Sequence, residues 1–109
     1  EQLKEIPGAG SDIRVDFEYP EYRLDPEQAV VKFASEAIKR AGLDLRLETS
    51  GGGSDANIFN AAGLAVANLA VGMQNAHTTD EFLESRDLID VVHIIWEMIQ
   101  LSCRNRDVI

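Results

Sequence analysis

Between Gly63 and Gly72 the chain reads LAVANLAV, eight residues of which only Asn68 is polar. A run this short and this apolar, bounded by glycines, is the pattern of a strand buried on both faces. Such a strand needs helices above and below it, and the flanking sequence carries helical patterns. Upstream, Asp25-Pro26-Glu27-Gln28 reads as an N-cap, an N1 proline and a capping-box glutamine at N3. The helix it opens runs to about Ala41, with Ala29, Val30, Phe33, Ala34, Ala37 and Ile38 on one face. Lys39 and Arg40 suit the negative end of its dipole, and Gly42 suits the position just past its end. Downstream, Ser85 is placed to cap a last helix that begins near Arg86 and carries Leu88, Val91, Val92, Ile95, Met98 and Ile99 inward.

Two further strands are expected from alternation with period two: Ile13, Val15 and Phe17, and then Leu43, Leu45 and Leu47. Ser54 to Ala62 reads as a short helix ended by Gly63, and Gly72 to Ser85 as a polar loop. Glu1 to Ile6 reads as the last turn of a helix stopped by Pro7 and Gly8, with a turn at Gly10 and Ser11. Tyr19-Pro20-Glu21-Tyr22-Arg23 is an extended connector, because Pro20 keeps Tyr19 out of the helical region. From Asp25 onward helices and strands alternate, so the expected class is α/β with a layered sheet.

The bulk numbers exclude more than they select. A chain of 109 residues is enough for one modest domain. A net charge of −9 argues against non-specific nucleic-acid binding and against an anionic membrane face. The single cysteine, Cys103, cannot close an internal disulfide, and no histidine near it in sequence makes it a nucleophile. No apolar run approaches the roughly 20 residues that span a bilayer. The residues present show no signal-peptide pattern and start without methionine, so a cytoplasmic segment of a longer protein is expected.

Two stretches carry chemistry. The first is Gly51-Gly52-Gly53-Ser54-Asp55, where a strand pattern gives way to a helix start. Glycines there let main chain approach a ligand, and a helix N-terminus adds free N–H donors and partial positive charge. The stretch is neither a Walker A loop nor GxGxxG, so a carboxylate or carbonyl oxygen is a better ligand than a phosphate. The residues alone leave a second reading open: a tight turn in which Ser54 or Asp55 simply caps the helix. The second stretch is Ala76-His77-Thr78-Thr79-Asp80-Glu81, which follows the apolar strand pattern. An imidazole there is a potential zinc ligand, with Asp80 or Glu81 placed to hold its second nitrogen. Zinc takes three or four protein ligands, and the residues show no set; a histidine so placed, taken alone, is more often a surface loop residue than a ligand. His93 and Trp96 lie within the last helix pattern as packing residues, while Asp16 and Glu18 are expected to face water.

Taken in order, Thr49-Ser50-Gly51-Gly52-Gly53-Ser54-Asp55-Ala56-Asn57, Gly63, Asn68-Leu69-Ala70-Val71-Gly72 and His77-Thr78-Thr79-Asp80-Glu81 resemble the C-terminal signature of the co-catalytic zinc exopeptidases. That superfamily includes peptidase T, glutamate carboxypeptidase and succinyl-diaminopimelate desuccinylase, and the likeness is greatest to the peptidase T-like members. Tyr19-Pro20-Glu21-Tyr22-Arg23-Leu24-Asp25 is similar to the segment that leaves their lid domain. The resemblance implies residues 1–22 as the end of an α+β lid, of the dimerisation type, with its connector. Residues 23–109 would be the C-terminal part of a phosphorylase/hydrolase-like α/β catalytic domain.

It implies a cofactor of two zinc ions, with His77 one of their ligands, and a short peptide as substrate. Gly51, Gly52, Gly53, Ser54 and Asn57 would line the pocket near the peptide's terminal carboxylate or scissile carbonyl. Ala65 stands where the family often has proline, a departure without catalytic weight.

The family's His-x-Asp metal motif, bridging aspartate, adjacent glutamate pair and further carboxylate have no counterpart here, and one of those glutamates is the family's general base. No catalytic residue is therefore expected in this chain. The expectation is a segment inactive alone, whose partners are the missing N-terminal portion of the same protein and a second copy in a homo-oligomer. A non-catalytic binding or dimerisation module, and a carboxypeptidase or deacylase of the same superfamily, are the competing functions.

Overall fold

Among the described residues, proline and glycine punctuate the chain into three helices joined by irregular segments. The structure, a computed structural model, describes Gly10 and residues 12–106. Helix α1 spans Ala29–Arg40, α2 spans Asp55–Ala61 and α3 spans Ser85–Arg106. The expected helical turn at Glu1 to Ile6, its stop at Pro7 and Gly8, and Ser11 lie outside the described residues.

The start of α1 shows its sequence logic with one correction. The Asp25 N–H donates to Gln28 Oε1 at 3.1 Å, and the Glu27 N–H donates to Asp25 Oδ1 at 2.8 Å. These are the capping interactions the spacing predicts, yet they close a turn, and regular helix begins only at Ala29. The far end is a Schellman motif: Gly42 sits at φ +78°, its N–H bonds Lys39 O at 3.0 Å, and the Leu43 N–H bonds Ile38 O at 3.2 Å. Helix α2 ends the same way, with Gly63 at φ +85°, Gly63 N–H on Asn60 O at 3.0 Å and Leu64 N–H on Phe59 O at 2.9 Å.

Among the described residues no β-strand forms, so the expected α/β sheet is not assembled in this chain. Residues 13–17, 43–47 and 64–71 form neither helix nor strand. A strand exists only through a neighbour that accepts its ladder of hydrogen bonds, and the chain brings none of these segments alongside another. In the first of them the apolar side chains are as open to water as Asp16 and Glu18 beside them, with Val15 88% exposed and Phe17 83%, while in the second Leu43 and Leu45 are half-buried and Leu47 is exposed. The LAVANLAV segment leaves Leu64, Leu69 and Val71 exposed and only Val66 and Ala67 half-buried. One isolated antiparallel bridge, Gln74 to Phe82, closes the polar loop.

Helix α1 packs on α3, and the buried apolar residues Val31, Ala34, Ala37 and Ile94 belong to this pair. The face of α3 that meets α1 is only in part the one the pattern predicts. Ile94 is buried, with Val91, Met98 and Leu101 half-buried, whereas Leu88, Val92, Ile95, Trp96 and Ile99 are exposed. The helix carries apolar residues on two faces, so of the residues expected inward Val91 and Met98 are half-buried beside Ile94 while Leu88, Val92, Ile95 and Ile99 are not. The radius of gyration, 19.9 Å, exceeds the roughly 13 Å of a compact domain of this length. The apolar faces therefore remain uncovered. No described helix is long and apolar enough to cross a membrane.

Candidate functional site

The turn from Ser50 to Asn57 is fixed from its helical end. Ser54 is the N-cap of α2, with extended φ −154°, and it forms a capping box with Asn57. The Ser54 N–H donates to Asn57 Oδ1 at 3.0 Å. Asn57 Nδ2 donates to the Pro20 carbonyl at 3.0 Å, and Asn68 Nδ2 donates to Ser54 Oγ at 2.8 Å. Asparagine at the third helical position stands in for the usual glutamate or glutamine, since its amide oxygen can accept the same N–H. Asp55 lies exposed in the first turn, where a carboxylate favours the helix dipole. Of the two caps the sequence left open, Ser54 or Asp55, the structure uses Ser54, with Asn57 as its partner.

None of the three consecutive glycines adopts a left-handed backbone conformation. At Gly53 a Cβ would overlap the outer end of the exposed Tyr19 ring, which would have to swing aside. Gly51 has open space around its would-be Cβ, and Gly52 meets only Ser50 Oγ, which also accepts its N–H at 3.1 Å. Gly53 thus lies against Tyr19, while Gly51 and Gly52 are exposed, the Gly52 N–H already bonded to Ser50.

Helix α2 continues the pattern of side chains gripping backbone. Asn60 Nδ2 donates to Ala56 O and to Val66 O, each at 2.8 Å, and Asn60 Oδ1 accepts from the Val66 N–H at 3.3 Å. One amide side chain thus pairs with Val66 much as a neighbouring strand would. This fixes residues 64–68 beside α2 without a sheet.

His77 stands in a separate loop built on its own bonds. Gln74 and Phe82 exchange N–H···O bonds at 2.9 and 3.2 Å, closing the loop at its base. Thr78 Oγ1 donates to Asn75 O at 2.7 Å and accepts the Asp80 N–H at 3.2 Å. Asn75 and His77 both have positive φ, 51° and 67°, a region that costs a non-glycine residue roughly 1–2 kcal/mol. Glu81 Oε2 accepts the His77 main-chain N–H at 2.8 Å. The sequence suggested that Asp80 or Glu81 would hold the imidazole; instead Glu81 holds the backbone, and the imidazole is exposed.

Zinc takes three or four protein ligands, and the described residues contain no group of three His, Cys, Asp or Glu side chains that could hold a metal. The donor set of this chain therefore does not make a zinc site by itself; His77 offers one nitrogen. The other residues singled out from the sequence behave as packing or surface groups. His93 is exposed on α3, Trp96 is 60% exposed, and Cys103 is a free, exposed thiol. Hydrogen bonds bring Ser54, Asn57 and Asn68 together, while no described hydrogen bond joins them to the His77 loop. Sequence reasoning missed Tyr19, Asn60 and the grip of Glu81. The Ser54-x-x-Asn57 spacing was the one available sign of the capping box.

Comparison with known proteins adds context to this arrangement. Residues 6–101 match the sequence profile of peptidase family M20/M25/M40. The chain is 31% identical over 97 residues to Uncharacterized protein YqjE of Bacillus subtilis, covering 89% of this chain and 26% of that protein. It is 24% identical over 103 residues to Peptidase T of Shouchella clausii, covering 92% of this chain and 25% of that protein. Against Peptidase T of Geobacillus kaustophilus the identity is 27% over 79 residues, covering 72% of this chain and 19% of that protein. The chain thus spans about a quarter or less of the curated relatives it matches. No solved structure matches it.

Proposed function

The chain belongs to peptidase family M20/M25/M40, and from that membership we propose that it is the C-terminal part of a zinc-dependent exopeptidase cleaving short peptides, of the tripeptide aminopeptidase type. The observation that carries the proposal is the His77 loop. Its bonds grip main chain on both sides of a strained histidine and leave the imidazole exposed. Strain of this kind persists where surrounding structure enforces it, and it clusters at functional sites. The name Peptidase T carried by relatives supports a peptide substrate.

In this reading His77 is one ligand of a two-zinc site whose other ligands lie outside these residues. Gly51, Gly52, Gly53 and Ser54 form one wall of the peptide pocket, with bare main chain at Gly51 and Gly52 facing substrate and Asn57 supporting the wall from behind. Residues 1–22 are the end of a lid domain and its connector, and residues 23–109 belong to the catalytic domain. The exposed apolar side chains of Val15, Phe17 and Trp96 fit burial against the remainder of the same protein. A single free cysteine fits a cytoplasmic enzyme.

The test is made on the full-length protein encoded by the gene. His77→Ala should lower tripeptide hydrolysis by more than about 100-fold, beyond the effect of losing a residue that merely orients a ligand, and should reduce bound zinc. Unchanged turnover and zinc content would remove His77 from the site. The 109-residue chain alone, supplied with zinc, should show no hydrolysis.

A further inference from the structure

We infer that Asn57 is a positioning residue that latches the connector, residues 19–23, onto the glycine turn. The connector is extended, forms no ladder and belongs to no helix. Two contacts attach it. The Pro20 carbonyl accepts from Asn57 Nδ2 at 3.0 Å, across 37 residues of sequence. The Tyr19 ring occupies the space that a Cβ on Gly53 would take.

Asn57 is 8% exposed, the one buried polar residue among those described. Its amide is engaged at both ends: Oδ1 receives the Ser54 N–H and Nδ2 reaches Pro20. The same side chain therefore shapes the turn and ties the connector to it. A carboxylate in its place would keep the acceptor for Ser54 but lose the donor and oppose the Pro20 carbonyl. A methyl on Gly53 would push Tyr19 away from the other side.

The latch stands on these contacts; its bearing on peptide binding rests on the proposed reading of the glycine turn. In that reading Asn57 acts through the turn, and a movement of the connector is transmitted to the pocket wall. Within that wall Gly53 lies against Tyr19, while Gly51 and Gly52 have no such contact.

Limited chymotrypsin digestion of the full-length protein, with the fragments identified by mass, tests the latch at the Tyr22–Arg23 bond. Asn57→Asp should speed cleavage there about tenfold, the scale of losing one well-made hydrogen bond that holds a segment closed. The far-ultraviolet helical signal should be unchanged. Gly53→Ala should release the same bond. Cleavage of Asn57→Asp at the wild-type rate would overturn the latch. So would a loss of helical signal alongside faster cleavage, because Asn57 would then support the fold in general. Release by Asn57→Asp with wild-type cleavage of Gly53→Ala would overturn the part assigned to Tyr19. None of these readouts depends on peptidase activity, so failure of the latch and failure of the functional reading are distinguishable.

Discussion

The α1–α3 pair and the α2 region are held together by different physics. The helix pair buries Val31, Ala34, Ala37 and Ile94 and shares one long ion pair. The region around α2 buries one apolar residue, Ala56, and is tied by Asn57, Asn60 and Asn68 to backbone or hydroxyl groups six to thirty-seven residues away. Apolar burial is non-directional and scales with area, so it fixes that two helices meet and tolerates some slippage. A side-chain amide bonded to a named backbone group fixes position within a few tenths of an ångström but contributes only about 0.5–1.5 kcal/mol per bond. The first mechanism suits a scaffold. The second suits a turn whose exposed main chain must be held at a set place.

The contrast breaks most readily at Ile94. Truncation to alanine should cost about 2–4 kcal/mol, through lost burial and the cavity left between the helices. Thermal unfolding followed by far-ultraviolet circular dichroism would read the loss. A cost under about 1 kcal/mol would mean that the helix pair is not held by its apolar contact. The parallel substitution on the other side, Asn60→Ala, removes the bonds to Ala56 and Val66 and should cost about 1–2 kcal/mol. Its signature is local: amide exchange should accelerate at Val66, whose N–H loses its acceptor, while α1 and α3 stay protected. Acceleration spread evenly over the chain would erase the distinction between the two regions.

The parts legible in the sequence are those whose causes are local. Gly42 and Gly63 announced the ends of α1 and α2 because a Schellman turn needs a left-handed residue at one defined place. Ser54 announced the start of α2 for a similar reason. The strands were not legible as structure because alternation reports only which faces a segment is prepared to bury. Ile13, Val15 and Phe17 alternate as a strand should, yet without a partner both faces stay exposed. The last helix misled in a related way, since apolar residues on two faces cannot say which face meets α1. At the candidate site, His77 and the glycines stood out by residue type. The side chains that hold them did not: Tyr19 and Asn57 reach across more than thirty residues, which no local pattern encodes, and Glu81, four residues from His77, bonds its main chain where the sequence pointed to the imidazole.

His77 offers a test in the opposite direction. Its φ of 67° disfavours any side chain, so His77→Gly should stabilise the chain by about 1 kcal/mol, provided the loop bonds survive. His77→Ala gains nothing, since alanine suffers the same backbone conflict. Denaturant titration of the two variants separates strain from side-chain loss. Equal stability of the glycine and alanine variants would show that the loop relaxes and stores no strain at this residue. A stabilising His77→Gly that abolishes hydrolysis in the full-length protein would instead place the cost of that conformation on the side of function.

The smallest expected effect sharpens the comparison from the helix side. Arg40 Nη1 lies 3.8 Å from Glu97 Oε2, linking α1 to α3, while Arg40 Nε is already bonded to Glu36 Oε1 at 2.9 Å within α1. The shorter bond holds the guanidinium on its own helix, and both partners retain contact with water, with side-chain exposures of 32% and 23%. A pair so placed contributes about 0.5 kcal/mol or less, since side-chain ordering and screening offset most of the attraction. Glu97→Gln, which leaves the Arg40–Glu36 pair intact, should therefore shift stability by no more than that. The difference should vanish near 1 M salt, where the screening length falls to about 3 Å. A loss above about 1 kcal/mol that persists in salt would mean that charge, and not apolar burial, orients α1 on α3. The helix pair would then be held by a directional bond, as the α2 region is.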